Sequence, residues 1–149
     1  MINLDRMNKQ KLLLLLSSVG GIFASMGPWI NYPRIDLVLY GHMGDGWVTL
    51  GLFVLILIFT VVGKPSRSLK NIPFWIIMVL SLLVVTIGVW KIGSFLSEKS
   101  NFETDDPFLI TAAAGSNVAY GLYLLQLFGT INVLALVFYR KNNKGRNEK

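Results

Sequence analysis

The chain has 149 residues, of which 53% are hydrophobic and only 15% charged, against roughly 25% charged in ordinary soluble domains. A mean hydropathy of +0.56 is more apolar than a soluble domain of this size can bury, so the class is integral membrane and the length allows one domain. Cysteine is absent, which excludes disulfides, thiolate metal sites and cysteine nucleophiles; the formal net charge of +6 raises nucleic-acid binding, which the placement of the charges then argues against.

Four apolar blocks follow in order, each near the roughly 20 residues that a helix needs to cross about 30 Å of hydrocarbon. The first covers residues 12–30 (LLLLLSSVGGIFASMGPWI), after a basic start, and has the outline of a signal peptide. Its apolar run continues beyond the small residues Ala24 and Ser25, which favours a retained transmembrane helix. Ser17, Gly21 and Ser25 recur every four residues on this helix and form a small-residue face that admits a close neighbour. That neighbour is another helix of the same chain or, on a sharper reading, a second copy.

Residues 31–46 read as an outer loop containing Arg34, Asp36, His42 and Asp45. Its end, GHMGDGW, runs into the second predicted helix, residues 47–63. The glycines allow a sharp turn, and Asp45 suits the helix N-cap, where a carboxylate accepts orphan backbone N–H groups. Gly46 and Trp47 complete this lip, with Trp47 as an interface anchor. A metal or phosphate loop is the competing reading. The loop lacks a Walker lysine and matches no metal-ligand spacing, so His42 and Asp45 are retained only as an outer-site candidate.

A basic loop with Lys64, Arg67 and Lys70 leads to the third predicted helix, residues 73–95. Trp90 marks its outer end, as Trp29 does for the first helix, and Lys91 suits an outward-snorkelling anchor. Residues 96–118 form the second outer loop, acidic at first and then small and apolar. Its second part reads as an interfacial segment or an extra turn, started by Asp105 or Asp106 before Pro107.

The fourth predicted helix, residues 119–139, carries the small residues Gly121 and Gly129 and two amides, Gln126 and Asn132. In hydrocarbon these amides need partners, in the bundle or on a neighbouring subunit. No predicted helix core holds a carboxylate or histidine, which weighs against an ion-coupled transporter. A basic tail, residues 140–149, closes the chain.

Basic residues gather before the first helix, in the 64–72 loop and in the tail, while most acids lie in the other two loops. The positive-inside rule therefore places both termini in the cytoplasm. The expected fold is an all-α, four-helix transmembrane bundle facing anionic lipids on its cytoplasmic side, with no nucleic-acid partner and no cofactor.

Gly27-Pro28-Trp29, then Gly44-Asp45-Gly46-Trp47 ahead of helix two, then Tyr120-Gly121-Leu122-Tyr123 opening helix four, resembles a group of small bacterial four-helix membrane proteins. Members of that group typically read PW, GxxGDGW and an aromatic-flanked glycine in this order; here the last element departs from the usual G-[YF]-G. The resemblance implies the fold and a multi-pass place in the bacterial cytoplasmic membrane, and it carries no activity. The topology alone is also similar to that of claudins, whose paired first-loop cysteines are absent here. The leading expectation is a non-enzymatic membrane subunit, packing with itself or with a membrane partner and presenting outer loops. An oligomeric channel or membrane-perturbing pore is the alternative, and a small membrane enzyme or lipid-handling protein using the acidic outer loops is the third.

Overall fold

The computed structural model describes residues 8–62, 69, 71–100 and 106–147. Arg6, Lys64, Arg67, Lys70, Glu103, Asp105 and the last two residues of the expected tail lie outside the described residues. The chain is mostly helical with one small sheet. In order it forms α1 (Lys9–Met26), β1 (Pro28–Tyr32), β2 (Leu37–Tyr40), a 3-10 turn (Gly41–Met43), α2 (Gly46–Val61), α3 (Asn71–Ser100), α4 (Pro107–Gly115), β3 (Asn117–Val118) and α5 (Tyr120–Asn147).

Four of the helices pack side by side as a closed ring, α1 against α2 and α5, and α3 against the same two. Neighbours run antiparallel. Gly21 of α1 meets Phe53 of α2, Gly20 meets Phe128 of α5, and Gly129 of α5 meets Val84 and Val85 of α3. Leu14, Phe53, Ile56, Ile77, Val84, Leu125 and Leu136 fill the interior and are fully buried. Helix α3, from Ile72 to Ser100, and the stretch of α5 from Tyr120 to Phe138 are long and apolar enough to cross a membrane; α2, Gly46–Val61, is apolar but shorter.

The element boundaries depart from the expected ones for local reasons. Helix α1 stops at Met26, because Gly27 turns to an extended conformation ahead of Pro28. The rest of the first block becomes β1, the central strand of a three-stranded sheet in the order β2-β1-β3. Pairing is antiparallel on both sides: Tyr32 faces Leu37 and Asn31 faces Val38 on one, and Ile30 faces Val118 on the other. The register slips between Pro28 and Ile30, which lifts Trp29 out of the ladder. At the far side of the hairpin Asp36 takes a positive φ of 51°.

The expected second outer loop is largely ordered structure. Helix α3 runs on to Ser100, and α4 forms from Pro107 with Asp106 as its cap, the Oδ1 of Asp106 accepting from the N–H of Phe108 at 2.9 Å. Helix α5 likewise continues through the residues expected as a tail as far as Asn147.

Candidate functional site

The sheet sits at one end of the helix ring, and the strongest sequence motif, GHMGDGW, forms the lip beside it. The chain leaves β2 through Gly41, whose N–H donates to Gly27 O at 2.9 Å, and so folds back over the end of α1. A Cβ at Gly41 would overlap the Ser25 carbonyl oxygen and the Trp29 indole, and one at Gly46 would overlap the Gly41 backbone. Both glycines serve close backbone approach. Neither they nor Gly44 adopts a positive φ, so the sharp turn expected here does not draw on glycine's left-handed freedom.

Asp45 stands at the N-cap position of α2 with helical backbone angles, and its side chain makes no capping hydrogen bond. This overturns its expected role. The carboxylate instead pairs with the ammonium of Lys91 on α3. Lys91 also lies 5.5 Å from the centre of the Trp90 ring. Thr49 in the first turn of α2 turns inward, its hydroxyl donating to Ser25 Oγ at 3.0 Å.

Trp29 departs from its expected place as an exposed anchor. It is 7% exposed, and its indole Nε1 donates to Ala24 O at 3.2 Å, satisfying one of the last carbonyls of α1. Trp47 and Trp90 are exposed, though Trp90 lies well short of the end of α3. His42 is exposed and stacks obliquely on Tyr40, with ring centroids 5.6 Å apart, while Asp45 is engaged by Lys91. Among the described residues no group of three or more His, Asp or Glu side chains is placed to hold a metal ion.

The small-residue face of α1 is consumed within the chain. Ser17 and Ser25 are buried, and the Phe53 ring occupies the space a side chain at Gly21 would need. Gly121 meets the Gly27-Pro28 backbone and Gly129 meets α3, so these glycines also serve internal packing.

The polar side chains inside the ring pin its seams one by one. Ser17 and Asn132 join α1 to α5, and Ser25 and Thr49 join α1 to α2. Gln126 of α5 donates from Nε2 to Val85 O of α3 at 3.0 Å, lying over Gly88. The Asp45–Lys91 pair joins α2 to α3. At the opposite end, ahead of the apolar run, Lys11 donates to Val62 O at 3.2 Å beyond the last turn of α2, a favourable place for a cation. Burial there lowers the pKa of its ammonium from the ordinary lysine value.

At the Ser17–Asn132 contact the Ser17 hydroxyl has one proton, which Leu13 O accepts at 2.7 Å. Pointing Oδ1 of Asn132 at that hydroxyl brings two acceptors together and leaves the buried Nδ2 without a partner. The reversed amide, with Nδ2 donating to Ser17 Oγ, gives both donors an acceptor and is the orientation the hydrogen bonding requires.

Sequence reasoning missed the partner of Asp45 and the inward turn of Trp29. The Pro28 that ends α1 was a usable signal for the second. Nothing local signals the first, because Lys91 arrives from another helix. Compared with protein-family models, curated proteins and solved structures, the chain matches none.

Proposed function

We propose that the chain is a non-enzymatic, multi-pass subunit of the bacterial cytoplasmic membrane, with α1, α2, α3 and α5 spanning the bilayer and both termini cytoplasmic. It works by lateral packing, and it presents the three-stranded sheet and α4 on the outer side. One observation carries this reading: the helices are apolar on their outward faces as well as on their inward ones. Leu16 and Phe23 of α1, Leu55 and Ile58 of α2, Val79 and Leu83 of α3, and Leu134 and Phe138 of α5 are all exposed, with Phe23 at 73%. A helix apolar all round belongs in a protein core or in lipid, and here the outer half of each helix has no protein against it.

The distribution of charge supports the orientation. Lys9 and Lys11 begin α1 at the end away from the sheet, whereas Asp36, Asp45, Glu98 and Asp106 lie toward the sheet end. Helix α3, at about 45 Å for its 30 residues, is longer than the hydrocarbon thickness of about 30 Å. Its last turns then stand clear of the bilayer, where Lys99 donates to Ser116 O at 2.6 Å and steadies the segment before β3.

With the small-residue face of α1 used internally, contact with another protein falls to the lipid-facing sides or to the outer sheet. The filled interior leaves conduction to a lumen between copies. Crosslinking in native membranes tests the proposal: it should recover one dominant neighbour, either the chain itself or another membrane protein. Recovery of no neighbour, from a chain that is monomeric in nanodiscs, would overturn it.

A further inference from the structure

Contacts between helices bound the apolar sides of the ring above and below, and they fix how deep those sides are. At the sheet end, Asp45 at the start of α2 pairs with Lys91 of α3. The exposed Trp47 and Trp90 stand within two residues of these charges, so the pair sets both indoles near one level. At the other end Lys11 of α1 donates to Val62 O at the close of α2. Between the two levels the helices carry no charge: residues 12–26, 46–62, 74–90 and 120–138 contain no Asp, Glu, Lys or Arg.

The helix rise gives the depth. Asp45 to Val62, the two caps of α2, span about 25 Å, and Trp75 to Trp90, both exposed on α3, span about 23 Å. On α5, whose Gly121 packs on the Gly27–Pro28 backbone, Tyr120 to Phe138 span about 27 Å. Each falls short of the hydrocarbon thickness of an ordinary bilayer, about 30 Å. Sliding cannot make up the difference, because Lys11 on Val62 O and the Gly41 N–H on Gly27 O hold α1 and α2 together at both ends. Tilting cannot either, since tilt takes up excess length and shortens the span across the layer.

We infer that these apolar sides are matched to phospholipids with short acyl chains, and that the protein thins a bilayer of ordinary lipids around itself. This rests on the reading of α1, α2, α3 and α5 as membrane-spanning, and it adds the lipid chemistry that they select. A thicker layer would submerge the Asp45–Lys91 pair at one rim or Lys11 at the other, and charge in hydrocarbon is costly. Thinning costs only a fraction of that per ångström, so the lipid yields and the rims stay at headgroup level, where indoles are favoured.

The full chain would be reconstituted in phosphatidylcholines with monounsaturated chains of about 14 to about 22 carbons, which run from thinner to thicker than an ordinary membrane. Trp47, Trp75 and Trp90 are exposed and report lipid contact. Quenching of their fluorescence by brominated phosphatidylcholine, competed against each chain length, gives relative affinities. The shortest lipids should bind about two- to five-fold more strongly than the longest. Asp45→Asn with Lys91→Leu removes the upper rim and joins the apolar surface of α3 to the exposed Leu96, so the preferred chain length should rise. Equal binding at all lengths, a preference for the longest lipids, or an optimum that the double variant leaves in place overturns the inference and leaves the membrane-spanning reading standing. A chain that alkaline carbonate strips from the liposomes overturns both.

Discussion

Asp45 holds the N-cap position of α2 but gives its carboxylate to Lys91 of α3. The exchange trades a local contact for one across the seam between α2 and α3. Both side chains remain partly exposed, at 53% for Asp45 and 34% for Lys91, so water and salt screen the pair, and exposed pairs contribute about 0.2–1 kcal/mol. A double-mutant cycle with Asp45→Asn and Lys91→Met, followed by thermal unfolding in detergent, should give a coupling in that range that shrinks as salt rises. A coupling above about 2 kcal/mol, insensitive to salt, would mean that the pair is shielded far more than its exposure implies.

The GHMGDGW lip contains glycines with opposite tolerances. At Gly41 a Cβ meets the backbone oxygen of Ser25, which cannot move without displacing the end of α1, whereas nothing lies within 4 Å of one at Gly44. Gly41→Ala should therefore destabilise the fold by about 1–3 kcal/mol, the range for overpacking. Gly44→Ala should fall within about 0.5 kcal/mol of the parent. Unfolding midpoints of the two variants, measured side by side, check this; equal losses would show that the lip is looser than its contacts indicate.

A third expectation concerns α4. Asp106 accepts from the N–H of Phe108, and Pro107 begins the helix, the arrangement expected of a capped N-terminus. Asp106→Ala removes that acceptor and should cost about 0.5–2 kcal/mol locally. Helix α4 is short and packs lightly against β1, so the loss should appear as faster amide exchange in α4, with exchange in α2 and α5 unchanged. Uniformly faster exchange would instead make the cap part of the global fold.

Much of this architecture is legible in the sequence, and the parts that are not share a cause. The four apolar blocks correspond to α1, α2, α3 and α5, because uninterrupted apolar length is a local property. The sheet was hidden for the same reason: PWINY and LVLY are apolar enough to pass as helix ends or loop, and strand pairing depends on partners far away in the chain. The positive φ of Asp36 and the turn of Pro33 and Arg34 before it mark the hairpin only once its strands are known. At the candidate site, the motif pointed to the right lip, but the chemistry assigned to Asp45 was wrong. A carboxylate at an N-cap and one in an ion pair read identically until the partner helix is placed. The small-residue face of α1 was visible; that Phe53 and Phe128 fill it was not.

The Ser17–Asn132 contact separates polar pairing from packing. Both side chains are buried, and Asn132 is fully so. Interhelical polar pairs in membranes average about 0.6 kcal/mol and reach about 1.7. Removing one partner costs more, because the other is stranded, whereas replacing both with apolar groups of similar shape is close to neutral. Ser17 keeps its acceptor, Leu13 O at 2.7 Å, whatever happens at Asn132, but the Asn132 amide has no other hydrogen-bond partner among the described residues. The two single changes should therefore be unequal. Ser17→Ala strands the amide and should destabilise by about 1–3 kcal/mol. Asn132→Leu leaves a satisfied serine and should cost less, and Ser17→Ala with Asn132→Leu together should recover most of the Ser17→Ala loss. Unfolding of the three variants in one detergent gives the ordering directly. If the double variant is instead the sum of the singles, the two side chains act independently, and the α1–α5 seam is held by apolar packing such as Phe128 over Gly20.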